Sequence, residues 1–165
     1  MKNKWLILLV LLLPLLSGCN DTDDVQKIFT GKTWKLNYIT TKDGHEMYNF
    51  WGNDAAAATA RKESMKLLSG SNTYLLTFTG ATTDDIIKGS ISGNVVASKI
   101  DGTWSANAKN QNFKATVTAG KETDILAKKF IEILNQADSY SGDENNLYLN
   151  FENLSMVFFV VREQQ

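Results

Sequence analysis

Few side chains in this sequence have the type and spacing to do chemistry. Cys19 is the only thiol and His45 the only imidazole. A Ser-His-Asp or Cys-His arrangement would have to use His45, which falls in the turn-like stretch Lys42-Asp43-Gly44-His45 with no motif beside it. Gly89-Ser90-Ile91-Ser92-Gly93 has the outer glycines of a nucleophile elbow, but Ile91 stands where the serine belongs. The acidic pairs Asp84-Asp85 and Asp143-Glu144 fall in loops. Two such carboxylates facing each other across a cleft would serve glycoside hydrolysis; singly, they are solvated loop charges. Asp21, Asp23 and Asp24 offer oxygens to Ca²⁺ without the mid-loop Gly and distal Glu of a calcium loop. No Gly-rich phosphate loop is present. These residues predict no catalytic set, no metal site and no cofactor, with His45 an exposed turn residue.

Binding chemistry is better represented. Tyr38, Tyr48, Phe50, Trp51 and Trp104 are of the types enriched at recognition sites, although most aromatics of a small β domain build its core. Tyr48, Phe50 and Trp51 cluster in an irregular stretch, and Trp51 is the ring expected to stay exposed. Trp51 and Tyr48 are therefore the candidate binding aromatics. No basic patch with interleaved aromatics occurs, which argues against a nucleic-acid partner.

The chain opens Met1-Lys2-Asn3-Lys4 and runs from Trp5 to Leu16 without a polar residue. A basic start, an apolar run and small residues ahead of Cys19 describe an export signal. A helix of that length covers ~18 Å against a bilayer core of ~30 Å, too short to span comfortably. Leu16-Ser17-Gly18-Cys19 resembles a bacterial lipobox. The resemblance implies cleavage before Cys19 and attachment of a diacylglycerol to its thiol. Each buried CH₂ contributes ~0.8 kcal/mol, so several acyl chains make a practically permanent anchor. Cys19 is then no disulfide partner, and the mature domain must fold without one. Asn20-Asp21-Thr22-Asp23-Asp24 reads as a solvated acidic linker. It also resembles the export tract of surface lipoproteins in gut Bacteroidota, which implies the outer membrane, and its outer face rather than the periplasmic one. The expected organisation is a cleaved leader over 1–18, lipidated Cys and linker over 19–29, and one domain over 30–165.

Loss of residues 1–18 leaves 147 of 165, the length of one domain. Lys2 and Lys4 go with the leader, so 17 basic against 18 acidic side chains becomes a balance of −3. Pro14 is the only proline, so the turns of the domain fall to Gly, Asn, Asp and Ser. Trp34, Leu36 and Tyr38 alternate with Lys35 and Asn37 as in a half-buried strand. Asp54 is placed to cap a helix from Ala55 to Leu68, with Gly70 beyond its end. Its thin apolar face puts it on the sheet surface or across a barrel opening. Strands are expected over Thr73–Thr79, Ile86–Ser92, Asn94–Ile100, Gly102–Ala106 and Phe113–Thr118, a spacing that suggests an antiparallel meander. Thr123 or Asp124 caps a second helix, with Leu126, Phe130, Ile133, Leu134 and Ala137 along one side. Asn146 to Val161 reads as a hairpin turning at Glu152-Asn153-Leu154. Its unbroken apolar run from Met156 to Val161 implies that both faces are covered in mid-sheet, with Arg162 to Gln165 emerging into water.

The predicted class is α+β, mostly antiparallel β: a curved sheet or open barrel-like meander with two helices packed on it. Residues 30–162 resemble the META domain, a family that includes a heat-inducible bacterial outer-membrane lipoprotein. The likeness is carried by Trp34 in the first strand, the apolar strand Tyr74 to Phe78, the glycine-containing strand Ile86 to Gly93 and a strand near Gly102-Thr103-Trp104. A helix before the last two strands and a closing hairpin complete it. Ser92-Gly93-Asn94 keeps the Gly and Asn of that family's Gly-Cys-Asn without the Cys, and the Ala-rich helix stands as an insertion. The resemblance implies a fold and carries no active site. Gly31 and Trp34 are similar to the lipocalin Gly-x-Trp at a spacing one residue longer, so a lipocalin-like barrel is the alternative. The expected function is that of a non-enzymatic outer-membrane lipoprotein, binding an unknown protein or a small apolar ligand. The alternative is an envelope glycan hydrolase using Asp84, Asp85, Asp143 and Glu144.

Overall fold

The computed structural model describes residues 21–161; the leader, Cys19 and the 162–165 tail lie outside the described residues. The chain runs α1 (Asp21–Phe29), β1 (Thr33–Thr41), α2 (Ala55–Leu68), β2 (Leu75–Thr83), β3 (Ile86–Asn94), β4 (Lys99–Asn107), β5 (Phe113–Ala119), α3 (Ile125–Gln136), β6 (Ser139–Gly142), β7 (Asn146–Phe151) and β8 (Leu154–Val161). The strands form a single curved sheet ordered β5-β4-β3-β2-β1-β8-β7-β6, antiparallel throughout. The sheet does not close. Its edge strands meet at one point, where Asn112 bridges Ser139 and the Phe113 N–H donates to the Asp138 carbonyl at 2.8 Å. Elsewhere α3 occupies the gap, packed on β5 and β7. The α+β class and the curved, open meander are thus as the periodicity predicts, with three helices among the described residues rather than two.

The added helix is α1, which occupies Asp21–Phe29 where a linker is expected. Val25 and Phe29 lie one helical turn apart, and both are buried. The Phe29 ring enters an aromatic cluster, 4.7 Å from Trp104, 5.1 Å from Phe78 and 5.1 Å from Tyr140 between centroids. Such pairs contribute ~0.5–1.5 kcal/mol each beyond burial. Through Val25 and Phe29, α1 is part of the folded core.

Elsewhere the local signals held or slipped for identifiable reasons. The Asp54 carboxylate accepts from the Ala57 N–H at 2.7 Å and starts α2 where capping predicts. Asp124 does the same for α3 through Ala127 at 2.9 Å, and Leu126, Phe130, Ile133 and Leu134 are buried along its stripe. The contacts of α2 are chiefly with α3. In β1 the alternation breaks at a bulge between Leu36 and Tyr38. Trp34, Leu36 and Ile39 enter the core, and Tyr38 is turned to the outer face, contrary to strict period-two reading. The stretch Asn94–Ile100 is not one strand: residues 95–98 make the tight β3–β4 turn between the ends of the two strands, where Asn94 pairs with Lys99 and the Val95 N–H donates to the Ser98 carbonyl at 2.8 Å. Both faces of β8 are covered only as far as Phe158. Beyond it Phe159 is 42% exposed and Val161 39%. Three strands follow α3 rather than the two expected.

Candidate functional site

Strand direction sorts the loops into two groups. The β2–β3, β4–β5 and β6–β7 turns lie at the end where β1 begins beside α1, while the Lys42–His45 turn, the β3–β4 turn and the β7–β8 turn lie at the other. At this second end the outer face of β1, β8 and β7 and the Lys42–His45 turn form a hollow of about 330 Å³.

Register builds its floor. Tyr38 on β1 and Tyr148 on β7 both stand opposite Val157 on β8, so the two tyrosines flank one valine in a single cross-strand row. Adjacent strands are ~4.8 Å apart, which separates the tyrosine Cα atoms by roughly 10 Å. The next row pairs Thr40 with Ser155, and both are buried. The turn is drawn over this floor by three backbone bonds: Gly44 to Thr41 at 2.8 Å, Lys42 to Asn153 at 2.8 Å, and Tyr48 to Ile39 at 2.7 Å. Gly44 permits the approach, since a Cβ there would fall 2.4 Å from Thr40 Oγ1 and 2.6 Å from Thr41 Oγ1. Lys42, Asp43 and His45 are thereby carried to the rim. Among the described residues, the side chains of Tyr38, Lys42, Asp43, His45 and Tyr148 have no hydrogen-bond or ion-pair partner.

The candidate aromatics fare differently. Tyr48 is 41% exposed and its ring lies 4.9 Å from that of Phe50. Trp51, expected to be exposed, is half-buried: its indole N–H donates to Ser64 Oγ at 3.0 Å, and the Arg61 guanidinium lies 5.9 Å from its ring centroid. Ser64 in turn donates to Asp124 Oδ2 at 2.5 Å, and Tyr74 Oη donates to Asp124 Oδ1 at 2.9 Å. This chain of bonds ties the irregular segment to α2, to Tyr74 just ahead of β2 and to the N-cap of α3, so the Trp51 ring is held half-buried rather than exposed. Burial and the Asp124 charge push the Tyr74 phenol far above its usual range. Trp104 is core, with its N–H donating to the Thr79 carbonyl at 3.0 Å.

The acidic loop residues do not gather around this hollow. Asp85 pairs with Lys109 at 2.6 Å, whereas Asp143 Oδ1 accepts from the Asn145 and Asn146 N–H groups at 2.7 and 2.9 Å. Those backbone donors hold the Asp143 carboxyl below its usual range. Among the described residues no cluster of three or more His, Cys, Asp or Glu could hold a metal ion, and no helix is long and apolar enough to cross a membrane.

Two buried charges escaped sequence reasoning. Glu122 is 6% exposed and its carboxylate accepts from the N–H groups of Val96, Ala97 and Ser98 at 2.9–3.2 Å and from Ser98 Oγ at 2.7 Å, which is what closes the β3–β4 turn. Lys35 is 7% exposed and donates from Nζ to the carbonyls of Gly70 (2.8 Å) and Thr73. Burial brings its amine down to about 8. Nothing local marks either residue, because their partners lie 24 or more residues away. Tyr148 was also missed, although its place between the two inward residues Leu147 and Leu149 is a signal that puts it on the outer face.

An antiparallel meander curled around an aromatic core, plugged by a helix at one end and hollowed on its outer face at the other, defines an open-barrel α+β protein. Residues 20–161 match the domain of unknown function DUF4847, and the chain belongs to that family. It is similar to a crystal structure of a DUF4847 family protein from Bacteroides vulgatus, with a TM-score of 0.62 and 24% identity over 86% of this chain and 99% of that one. At that identity the likeness concerns the fold alone. No curated protein matches the sequence.

Proposed function

We propose that this is a lipid-anchored protein of the outer membrane that binds a ligand in the outer-face hollow and catalyses no reaction. The observation that carries the reading is the convergence of the unpartnered side chains of Tyr38, Lys42, Asp43, His45 and Tyr148 on one concavity. Convergent polar groups in a largely preformed cleft are the usual mark of a binding site. The interior is filled by Phe29, Trp34, Tyr74, Phe78, Phe130 and Phe158, which favours a ligand taken at the surface over one enclosed in the barrel. The engagement of Asp85 by Lys109 and of Asp143 by its own turn weighs against the hydrolase alternative.

The anchor reading rests on the leader and on Leu16-Ser17-Gly18-Cys19. The META-type reading of the fold rests on element order alone. Two residues of chain reach at most ~7 Å, so a lipid on Cys19 holds the α1 end close to the bilayer. The hollow sits at the far end of β1, a strand ~27–30 Å long, and on this reading is set off from the bilayer by about that distance. Growth of producing cells with a radiolabelled fatty acid tests the anchor: the native chain takes up label, and a Cys19→Ser chain does not and leaves the membrane fraction. An unlabelled native chain removes this part of the proposal.

A further inference from the structure

We infer that the hollow binds a neutral pyranose ring, the terminal residue of a glycan; the inference rests on the binding role proposed above and names its ligand class. Tyr38 and Tyr148 are half-buried, in register with Val157 between them, so the space over the valine is a slot walled on both sides by tyrosines about 10 Å apart at Cα. A sugar ring fills such a slot edgewise, with its C–H faces against the aromatic walls.

The polar groups are all at one end of that slot, where Thr40 and Ser155 form the next row and the turn adds Lys42, Asp43 and His45. This arrangement matches a ligand with apolar faces and a hydroxyl-bearing edge. Ser155 Oγ already donates to Asn150 Oδ1 at 2.8 Å, which leaves its lone pairs to accept from a ligand hydroxyl. The Asp43 carboxylate accepts only, the Lys42 ammonium donates only, and the tyrosine hydroxyls do both, the mixed set that vicinal hydroxyls require.

Charge and exposure narrow the class. One ammonium beside one carboxylate leaves the rim without net charge from that pair, so neither a strongly anionic nor a cationic ligand gains by Coulomb attraction. Lys42, Asp43 and His45 are solvent-exposed, and a wholly apolar ligand would displace their water without replacing its hydrogen bonds. A polyol replaces those bonds as it binds.

The test is titration of the ¹⁵N-labelled full chain, extracted from membranes, with methyl glycosides of neutral hexoses. Glucuronate serves as charged control and a capped aromatic tripeptide as the peptide arm. Saturable shifts at Tyr38, His45 and Tyr148 with Kd on the order of 1 mM are expected for a single ring, with glucuronate weaker. His45→Ala, at an exposed turn position, is expected to weaken binding several-fold. Tyr148→Ala is expected to abolish it while the amide spectrum of the core stays unchanged. Peptide shifts at these residues with silent glycosides overturn the sugar class and leave the binding role standing. Silence in every arm overturns both, and glycoside binding unaltered by either substitution places the sugar elsewhere and overturns the inference.

Discussion

The side-chain amide of Asn135 pairs with both backbone polar groups of Val117: Oδ1 accepts from the N–H at 2.8 Å, and Nδ2 donates to the carbonyl at 3.2 Å. Val117 lies on β5, an edge of the sheet, and its partner on β4 is on the other side. One residue of α3 therefore substitutes for a residue of the missing neighbouring strand. An unpaired edge is a template for association with another chain, and a helix laid across it is one way proteins prevent that. Asn135→Ala is expected to cost about 1–2 kcal/mol in urea unfolding and to raise the tendency to self-associate, read by light scattering near the unfolding midpoint.

Glu122 makes a second prediction. Its carboxylate supplies the acceptor for three successive backbone N–H groups, so Glu122→Ala leaves Val96, Ala97 and Ser98 without it. The expected loss is about 2–4 kcal/mol, since bonds to a charged acceptor are the stronger kind. Glu122→Gln retains one acceptor oxygen and is expected to lose less. Hydrogen exchange should show the amides of Ala97 and Ser98 losing protection before the core strands do.

Stability should depend on pH in the alkaline range through two residues of opposite effect. The Lys35 amine titrates near 8 in the folded chain against 10.5 for the ordinary group. Between those values the unfolded chain holds a proton that the folded chain lacks, so stability rises with pH across that window and is flat below it. The Tyr74 phenol is raised from its ordinary 10.0, so above that pH the folded chain keeps a proton that the unfolded chain releases, and stability falls. Urea midpoints from about pH 7 to pH 11 check this. Lys35→Met should flatten the rise, and Tyr74→Phe should flatten the fall.

Phe130 tests the packing of α3. Its ring is fully buried, edge-on to Tyr74 at 5.4 Å and 6.2 Å from Phe158. Phe130→Ala is expected to cost ~3–5 kcal/mol in denaturant unfolding, the range for deleting a buried phenyl ring. A much smaller loss would mean that the helix moves in to fill the space.

Legibility followed the range of the interactions. The caps Asp54 and Asp124 act on backbone three residues away, and the stripe of α3 repeats within one helix, so both were readable along the chain. The turn Lys42–His45 was readable for the same reason, but its place over the β1–β8–β7 face was not. That depends on Gly44 meeting Thr40 and on the Asn153 carbonyl accepting from Lys42, a contact across more than a hundred residues. The exposure of Trp51 was misread because the hydroxyl that holds it, Ser64, belongs to the next element.

Local chemistry, written in order along the chain, determined the helices α2 and α3 and the period-two strands of an open antiparallel sheet. Tertiary contact decided the rest. Docking of Phe29 into the aromatic cluster made an acidic stretch into a helix, and the bulge after Leu36 turned Tyr38 outward. Pairing of β1 with β8 brought Tyr38 and Tyr148 to either side of Val157. The physical reason is that period and capping are set by neighbours in sequence, whereas a bulge, a buried carboxylate or a two-walled slot exists only once distant strands have chosen their register.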